Sequence, residues 1–298
     1  MKRKIVKQGA ATLMISLPAT WARENNLEKG GEVSIEEQKN NLIISPDDLN
    51  QSKKSIEINL ESNTESSIRT IITTTYRLGY DEIKINFQGI EAIKIISDIV
   101  NNTLIGFEII NKTQNSCVIE NITEPSQDSF DNIFNKVLLN IDELLELSKD
   151  AINNKKIDFI HTSKKIQQFD NFCRRVLSKN KNIEESKLLW HFHSSILHAS
   201  RDLTHLLKYL SKNKTKQDEV AINLLNESKN IFEILKGAYL EKSIKNIEII
   251  HDIYNNTIEK KSQDFFKKSN DPVIVHHLLN SIRNFYLASS PLTGLIIK

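Results

Sequence analysis

Apolar and polar positions follow two different periods along this chain, and the change of period divides it. Lys4–Lys7 and Leu13–Leu17 read as extended, and Pro18-Ala-Thr-Trp-Ala-Arg-Glu-Asn-Asn as a helical turn or two, with Pro18 at its first position. Leu27-Glu-Lys-Gly-Gly-Glu-Val33 marks a turn. Val33–Glu37 and Asn41–Ser45 then form a hairpin about Gln38-Lys39-Asn40, and Ser45-Pro46-Asp47-Asp48 closes a first domain over 1–48. A piece this small, without disulfide or metal, usually needs a second copy to complete its core.

Ile56, Ile58 and Leu60 alternate with polar neighbours in Ser55–Leu60, the pattern of a strand. Glu65–Leu78 has helical spacing and stops at Gly79, and Glu82–Phe87 is again extended. A helix from about Ile90 to Thr103 and the extended stretches Phe107–Asn111 and Ser116–Ile122 complete a small α/β domain over 52–124, punctuated by Pro125. From Ser129 the period becomes that of long amphipathic helices, at about 129–153, 156–180, 183–211, 216–238, 242–268 and 272–290. Phe169-Asp170-Asn171-Phe172 returns 82 residues later as His251-Asp252-Ile253-Tyr254, and Leu197 and Arg201 match Leu279 and Arg283 at the same offset. Two three-helix repeats, 126–211 and 216–298, are expected. The fold class is therefore multidomain α+β: a dimeric N-terminal β domain, a small α/β domain and a six-helix all-α region.

Composition narrows the function classes. At 39% hydrophobic and 26% charged, the 298 residues are those of an ordinary globular protein, and the net charge of +2 names no partner. Cys117 and Cys173 stand far apart with no ligand spacing around them, which suits a reducing cytoplasm rather than a disulfide framework or a zinc site. No apolar run is long enough to span a membrane, and the N-terminus lacks the order of a secretory signal. With only eight glycines, no phosphate-binding glycine loop and no nucleophile elbow, the chain is not expected to be an enzyme or to carry a cofactor.

Charge is distributed unevenly at the N-terminus. Lys2, Arg3, Lys4, Lys7 and Arg23 precede any acid, whereas Glu24 to Asp48 holds seven acids and two lysines. Charge alone is equally that of a solvated strand. The basic strand is followed by the small-residue turn Gly9-Ala-Ala, a Ser-Leu-Pro helix start and the Leu27-x-x-Gly-x-x-Val33 hairpin entry. Lys4-Ile-Val-Lys-Gln-Gly-Ala-Ala-Thr-Leu-Met-Ile-Ser-Leu-Pro-Ala-Thr-Trp21 together with that hairpin resembles the AbrB/SpoVT swapped-hairpin DNA-binding domain. The resemblance implies a homodimer presenting Lys2, Arg3, Lys4 and Lys7 to DNA, with Thr12 and Arg23 as further contacts and Trp21 in the shared core. Ser16 reads as a phosphate contact or as a hydroxyl at the helix start.

Tyr76-Arg-Leu-Gly-Tyr-Asp-Glu-Ile-Lys-Ile85 and the duplicated helical layout resemble the phosphate-uptake-regulator (PhoU) family in its archaeal form. That resemblance implies a role in phosphate signalling, and as an alternative an adaptor that docks on a phosphate transporter ATPase or a sensor kinase. The family's paired metal-binding acids, four apart on one helix face, are missing from Ser200-Arg-Asp-Leu-Thr-His-Leu-Leu-Lys208 and from Ser281–Leu287. Asp170, Glu248 and Asp252 are the remaining metal candidates, and no metal is expected from them. His191, His198 and His205 nearly share a helix face, with His193 about 160° from His191, and His276 and His277 lie in the second repeat. Without a carboxylate in register they read as interior or partner-facing histidines. An antitoxin-like module is the weaker reading, because no toxin-wrapping tail is evident after residue 48.

Overall fold

The computed structural model describes residues 1–9, 11–38, 41–46, 53–124, 129–180, 185–216 and 218–297. It contains two compact units, Met1–Lys54 and Ser55–Lys298. Ala10, Lys39, Asn40, Asp47, Asp48 and Pro125, which figure in the expected turns and boundaries, lie outside the described residues.

The first unit has strands β1 (Val6–Gln8) and β2 (Thr12–Met14), helix α1 (Ala19–Glu24), and strands β3 (Val33–Gln38) and β4 (Asn41–Pro46). The strands make two separate antiparallel hairpins, β1–β2 and β3–β4. Gly9 and Gly30 have φ of +68° and +90°, which only glycine adopts without strain. Pro18 is the residue before α1, with φ −62° and ψ 126°, not its first helical position. Its ψ is extended rather than helical, so the helix begins one residue later than the sequence suggests.

The second unit opens with a four-stranded sheet in the order β5–β6–β8–β7, made of β5 (Ser55–Asn59), β6 (Glu82–Asn86), β7 (Phe107–Lys112) and β8 (Ser116–Asn121). β5 and β6 are parallel, joined through α2 (Glu65–Arg77); α3 (Ile90–Thr103) leads to the antiparallel β7 and β8. Register places Ile56 beside Ile83, Ile58 beside Ile85, Ile83 beside Ile119 and Ile85 beside Cys117. That apolar face shares a core with Ile68, Ile72 and Tyr76 of α2 and Ile96 and Val100 of α3. Alternation in the strands and 3.6-residue periodicity in the helices thus produce a single buried layer.

The helices α4 (Phe130–Ile152), α5 (Ile160–Lys179), α6 (Ser186–Leu210), α7 (Glu219–Glu241), α8 (Ile244–Ile253), α9 (Lys260–Lys268) and α10 (Pro272–Ile297) form a bundle with its own core, in which Phe134, Phe172, Leu203, Phe232, Ile250 and Phe285 are buried. Asp218 caps α7 by accepting from the amides of Val220 (2.9 Å) and Ala221 (3.3 Å), and Lys242, in the left-handed region at φ 54°, ends it. Two helix boundaries differ from expectation. The single helix expected over 242–268 is interrupted by a π-helical turn, Tyr254–Glu259, where Tyr254 stacks on Tyr286 at 3.9 Å between ring centroids. The last helix passes through Pro291 to Ile297 instead of stopping at 290. Pro291 forfeits one backbone hydrogen bond, but Leu292 is buried, and Leu295 and Ile296 pack on the core, offsetting the loss.

α2 and α3 pack on α5, so sheet layer and bundle meet within one unit. Arg175 of α5, 1% exposed by side chain, is the hub. It donates to both Glu124 carboxylate oxygens (3.0 and 2.8 Å), to Asp81 (2.6 Å) and to the carbonyls of Tyr76 (3.1 Å) and Tyr80 (2.7 Å). Lys179 adds contacts to Asp81 and Glu124 at 2.8 and 3.2 Å. Asn171 accepts from Arg77 Nε (2.7 Å) and donates to the Thr103 carbonyl (2.9 Å). Each core holds one cysteine, Cys117 under the sheet and Cys173 in the bundle, both buried with thiols raised by desolvation, Cys117 to about 11.

Candidate nucleic-acid interface

The first unit has apolar side chains in abundance and no buried residue among those described. In the β3–β4 hairpin, register puts Val33, Ile35 and Glu37 on one face with Pro46, Ile44 and Leu42. Ile35 is 60% exposed and Leu42 63%. In β1–β2, Val6 pairs with Met14, Lys7 with Leu13 and Gln8 with Thr12, and Leu13 is 67% exposed. A stable fold does not leave this much aliphatic surface in water, where each buried side chain of this size would contribute about 1.5–3 kcal/mol. Trp21 is only half-buried by its own chain.

The basic residues occupy one end of this unit. Lys2, Arg3 and Lys4 precede β1 and are exposed; Lys7 follows on β1 itself, also exposed. Thr12 sits opposite Gln8, so strand alternation puts it on the face away from Lys7. The hairpin thus brings the two into one element without aiming them together. Arg23 lies exposed in the last turn of α1, where a cation also complements the helix dipole. Ser16 is exposed and makes no side-chain cap to α1, which corrects its reading as a helix-start hydroxyl. With Ala19 as the first helical residue, Ser16 is too far back in the chain to occupy the cap position.

The metal candidates do not converge. Asp170 is interior, 1% exposed, paired with Arg174 at 2.9 Å and held below the usual carboxylate range by Arg174, His193 and Arg77 against the desolvation that opposes it. Glu248 and Asp252 are exposed on α8. Among the described residues no group of three or more His, Cys, Asp or Glu is arranged to hold a metal ion. The repeat-related Asp170 and Asp252 have different environments: Asp170 is buried beside Arg174 and His193, whereas Asp252 is exposed on α8.

The histidines divide as their spacing implies. His193 is buried at 1%, its ring 4.1 Å from that of Phe134, and its Nδ1 stands 3.6 Å from Asp170, beyond hydrogen-bond reach. Burial lowers its pKa, outweighing the attraction of Asp170. His191, His198 and His205 are exposed. His205 stacks on His277, centroids 6.0 Å apart, and His276 lies beside His277. The sequence reading passed over Arg77, Arg174 and Arg175. The signal for the last two was the pair Arg174-Arg175, four and five residues after Asp170 on an amphipathic helix; Arg77 had none.

Residues 6–52 match the family model described as "Antidote-toxin recognition MazE, bacterial antitoxin". The match covers the hairpins and α1 and supports a swapped-hairpin DNA-binding domain at the N-terminus. Neither curated proteins nor solved structures give a significant match to the chain. Among the described residues no helix is long and apolar enough to cross a membrane.

Proposed function

We propose that the chain is a DNA-binding transcriptional regulator that acts as a homodimer through its first unit. The observation that carries this reading is a two-hairpin unit with no buried residue among those described, five bases within its first 23 residues, and a match over 6–52 to an antitoxin family model. Two copies interlocking would cover Leu13, Ile35 and Leu42 and bring Lys2, Arg3, Lys4 and Lys7 of both together on one face. Phosphate contacts from those groups supply affinity, and Thr12 and Arg23 stand near enough along the chain to add to them. The helical unit is the sensing or partner-binding module. Its two successive helical sets, α4–α6 and α7–α10, favour a PhoU-like repeat, a role in phosphate uptake or signalling and a cytoplasmic location. The alternative in that frame is an adaptor docking on a phosphate transporter ATPase or a sensor kinase.

The wording of the family match favours a second reading, in which the first unit represses DNA as part of an antitoxin and the second unit holds a toxin. The two readings share the DNA step. The test is titration of the full chain against its own upstream DNA and random DNA, from low to physiological salt, beside a variant carrying Lys2, Arg3, Lys4 and Lys7→Glu. Specific binding lost in the variant supports the regulator. No binding at low salt would leave the first unit as a dimerisation element and favour the adaptor.

A further inference from the structure

A groove of about 610 Å³ opens in the second unit where α2, the start of α5 and α6 come together. Cavities of roughly 300–1,000 Å³ suit single small-molecule ligands. Its charge is one-sided: Arg69, Lys164, Arg201 and Lys208 line it, and Glu65 is the one acid among its lining residues. Glu65 is paired with Arg69, and Lys164 comes within 4.0 Å of Asp98. Arg201 and Lys208 have no ion-pair partner among the described residues. Arg69 keeps donors to spare, because one carboxylate cannot occupy the five N–H groups of a guanidinium.

Behind Arg201 the imbalance continues into the interior. Arg77, Arg174 and Arg201 all interact with the single carboxylate of Asp170, which Arg174 already holds at 2.9 Å. Arg77 Nη2 is buried with no hydrogen-bond partner among the described residues. Three guanidiniums to one carboxylate leave an excess of positive charge beside the groove, which only Arg201 of the three lines. Although Arg201 is solvent-exposed as a residue, the protein around it lowers its pKa, and burial lowers that of Arg77 to about 10. The first turn of α5 also lines the groove, its Ile160 amide already donating to the Asp158 carboxylate at 3.2 Å, so the groove's charge comes from its side chains. Ser163 and Thr204, 3.2 Å apart, place hydroxyls across the α5–α6 side, and Phe159 and Ile160 supply an apolar wall.

We propose that this groove binds a small phosphate-bearing molecule, its phosphoryl group taken by Arg201 and Lys208 with Arg69 beside them and its organic part lying along Phe159 and Ile160. A planar guanidinium meets two phosphoryl oxygens at once, which is why arginine leads and lysine supports. An inorganic phosphate would fill only a corner of a groove this size, so a phosphate monoester is the better fit. The inference stands independently of DNA binding by the first unit.

The test is calorimetry of the full chain, without DNA, against ribose 5-phosphate, inorganic phosphate and sulfate, for wild type, for R201A/K208A and for a control, K245A/K267A, whose lysines are exposed on α8 and α9. Circular dichroism checks that the variants fold. Ribose 5-phosphate binding that weakens at least about tenfold in R201A/K208A, and persists in the control, supports the site. Inorganic phosphate binding as tightly, with the same loss, keeps the site and names free phosphate as its ligand. Equal affinity in wild type and R201A/K208A, or no affinity for either phosphate, overturns it. If neither phosphate binds but a separate DNA titration shows weaker binding in R201A/K208A, the groove belongs to a nucleic-acid surface and the proposal fails.

Discussion

Arg175 carries five hydrogen bonds into a space where its side chain is 1% exposed. Burying a charge is tolerable only with such complete pairing, and removing one partner strands the others. Arg175→Met would take the buried guanidinium away from Asp81 and Glu124, leaving Lys179 beside both and the Asn121 amide on Glu124, and is expected to destabilise the second unit by about 3–5 kcal/mol in urea unfolding. His193 gives a pH signature. Its folded pKa lies below the unfolded value of about 6.5, so the unfolded chain takes up a proton first, and stability declines as pH falls below about 6.5. His198 and His277, also lowered by burial, act in the same direction from more open positions. His193→Phe, which fits a ring already beside Phe134, should flatten the urea midpoint between about pH 5.5 and 7.5; an unchanged slope would assign the effect to the other two. At this scale the sequence was legible only in part. The helical angle separated His193 from His191, His198 and His205, since it depends on local geometry alone. The fate of Asp170 was hidden, because its partners Arg77 and His193 come from other helices.

Elements were more legible than residues. Strand alternation located all four strands of the second unit to within a residue or so, and Gly79 marked the end of α2, with φ 79°. The β3–β4 hairpin of the first unit was legible for the same reason, whereas β1 and β2 lie at Val6–Gln8 and Thr12–Met14 rather than over Lys4–Lys7 and Leu13–Leu17. Pro291 misled because proline usually ends a helix, and packing of Leu292, Leu295 and Ile296 overrode that local rule. The π turn at Tyr254–Glu259 was invisible, since one extra residue in a turn leaves the apolar periodicity almost unchanged. The exposed face of β3–β4 carries a prediction at this scale. Leu42→Asp places a charge in place of a leucine that is 63% exposed in the single chain and that a second copy would cover. Light scattering at micromolar protein should show the dimer shifted to monomer, with the helical signal of the second unit kept. A dimer that persists would move the contact to the β1–β2 hairpin.

For the molecule as a whole, the charge contrast between residues 1–23 and 24–48 was legible without coordinates, and the small size of residues 1–48 already pointed to a second copy. The charges gathered in the second unit were not, because a near-neutral total of +2 conceals both the arginines around buried Asp170 and the basic groove. DNA affinity is expected to fall with salt at a log–log slope of roughly −4 to −9 for a dimer, and Lys7→Ala, removed twice by symmetry, should flatten it by about 2. A slope near zero would deny the phosphate contacts altogether.

Cys117 and Cys173 give the molecule two internal clocks. Each thiol is sealed in a different core and held protonated there, so an alkylating reagent reaches it only when that core opens. With Arg175 in place, sheet layer and bundle should open together and the two thiols should be modified at one common rate. In Arg175→Met the clocks should run apart, Cys117 ahead of Cys173, since the smaller layer loses its clasp on the larger.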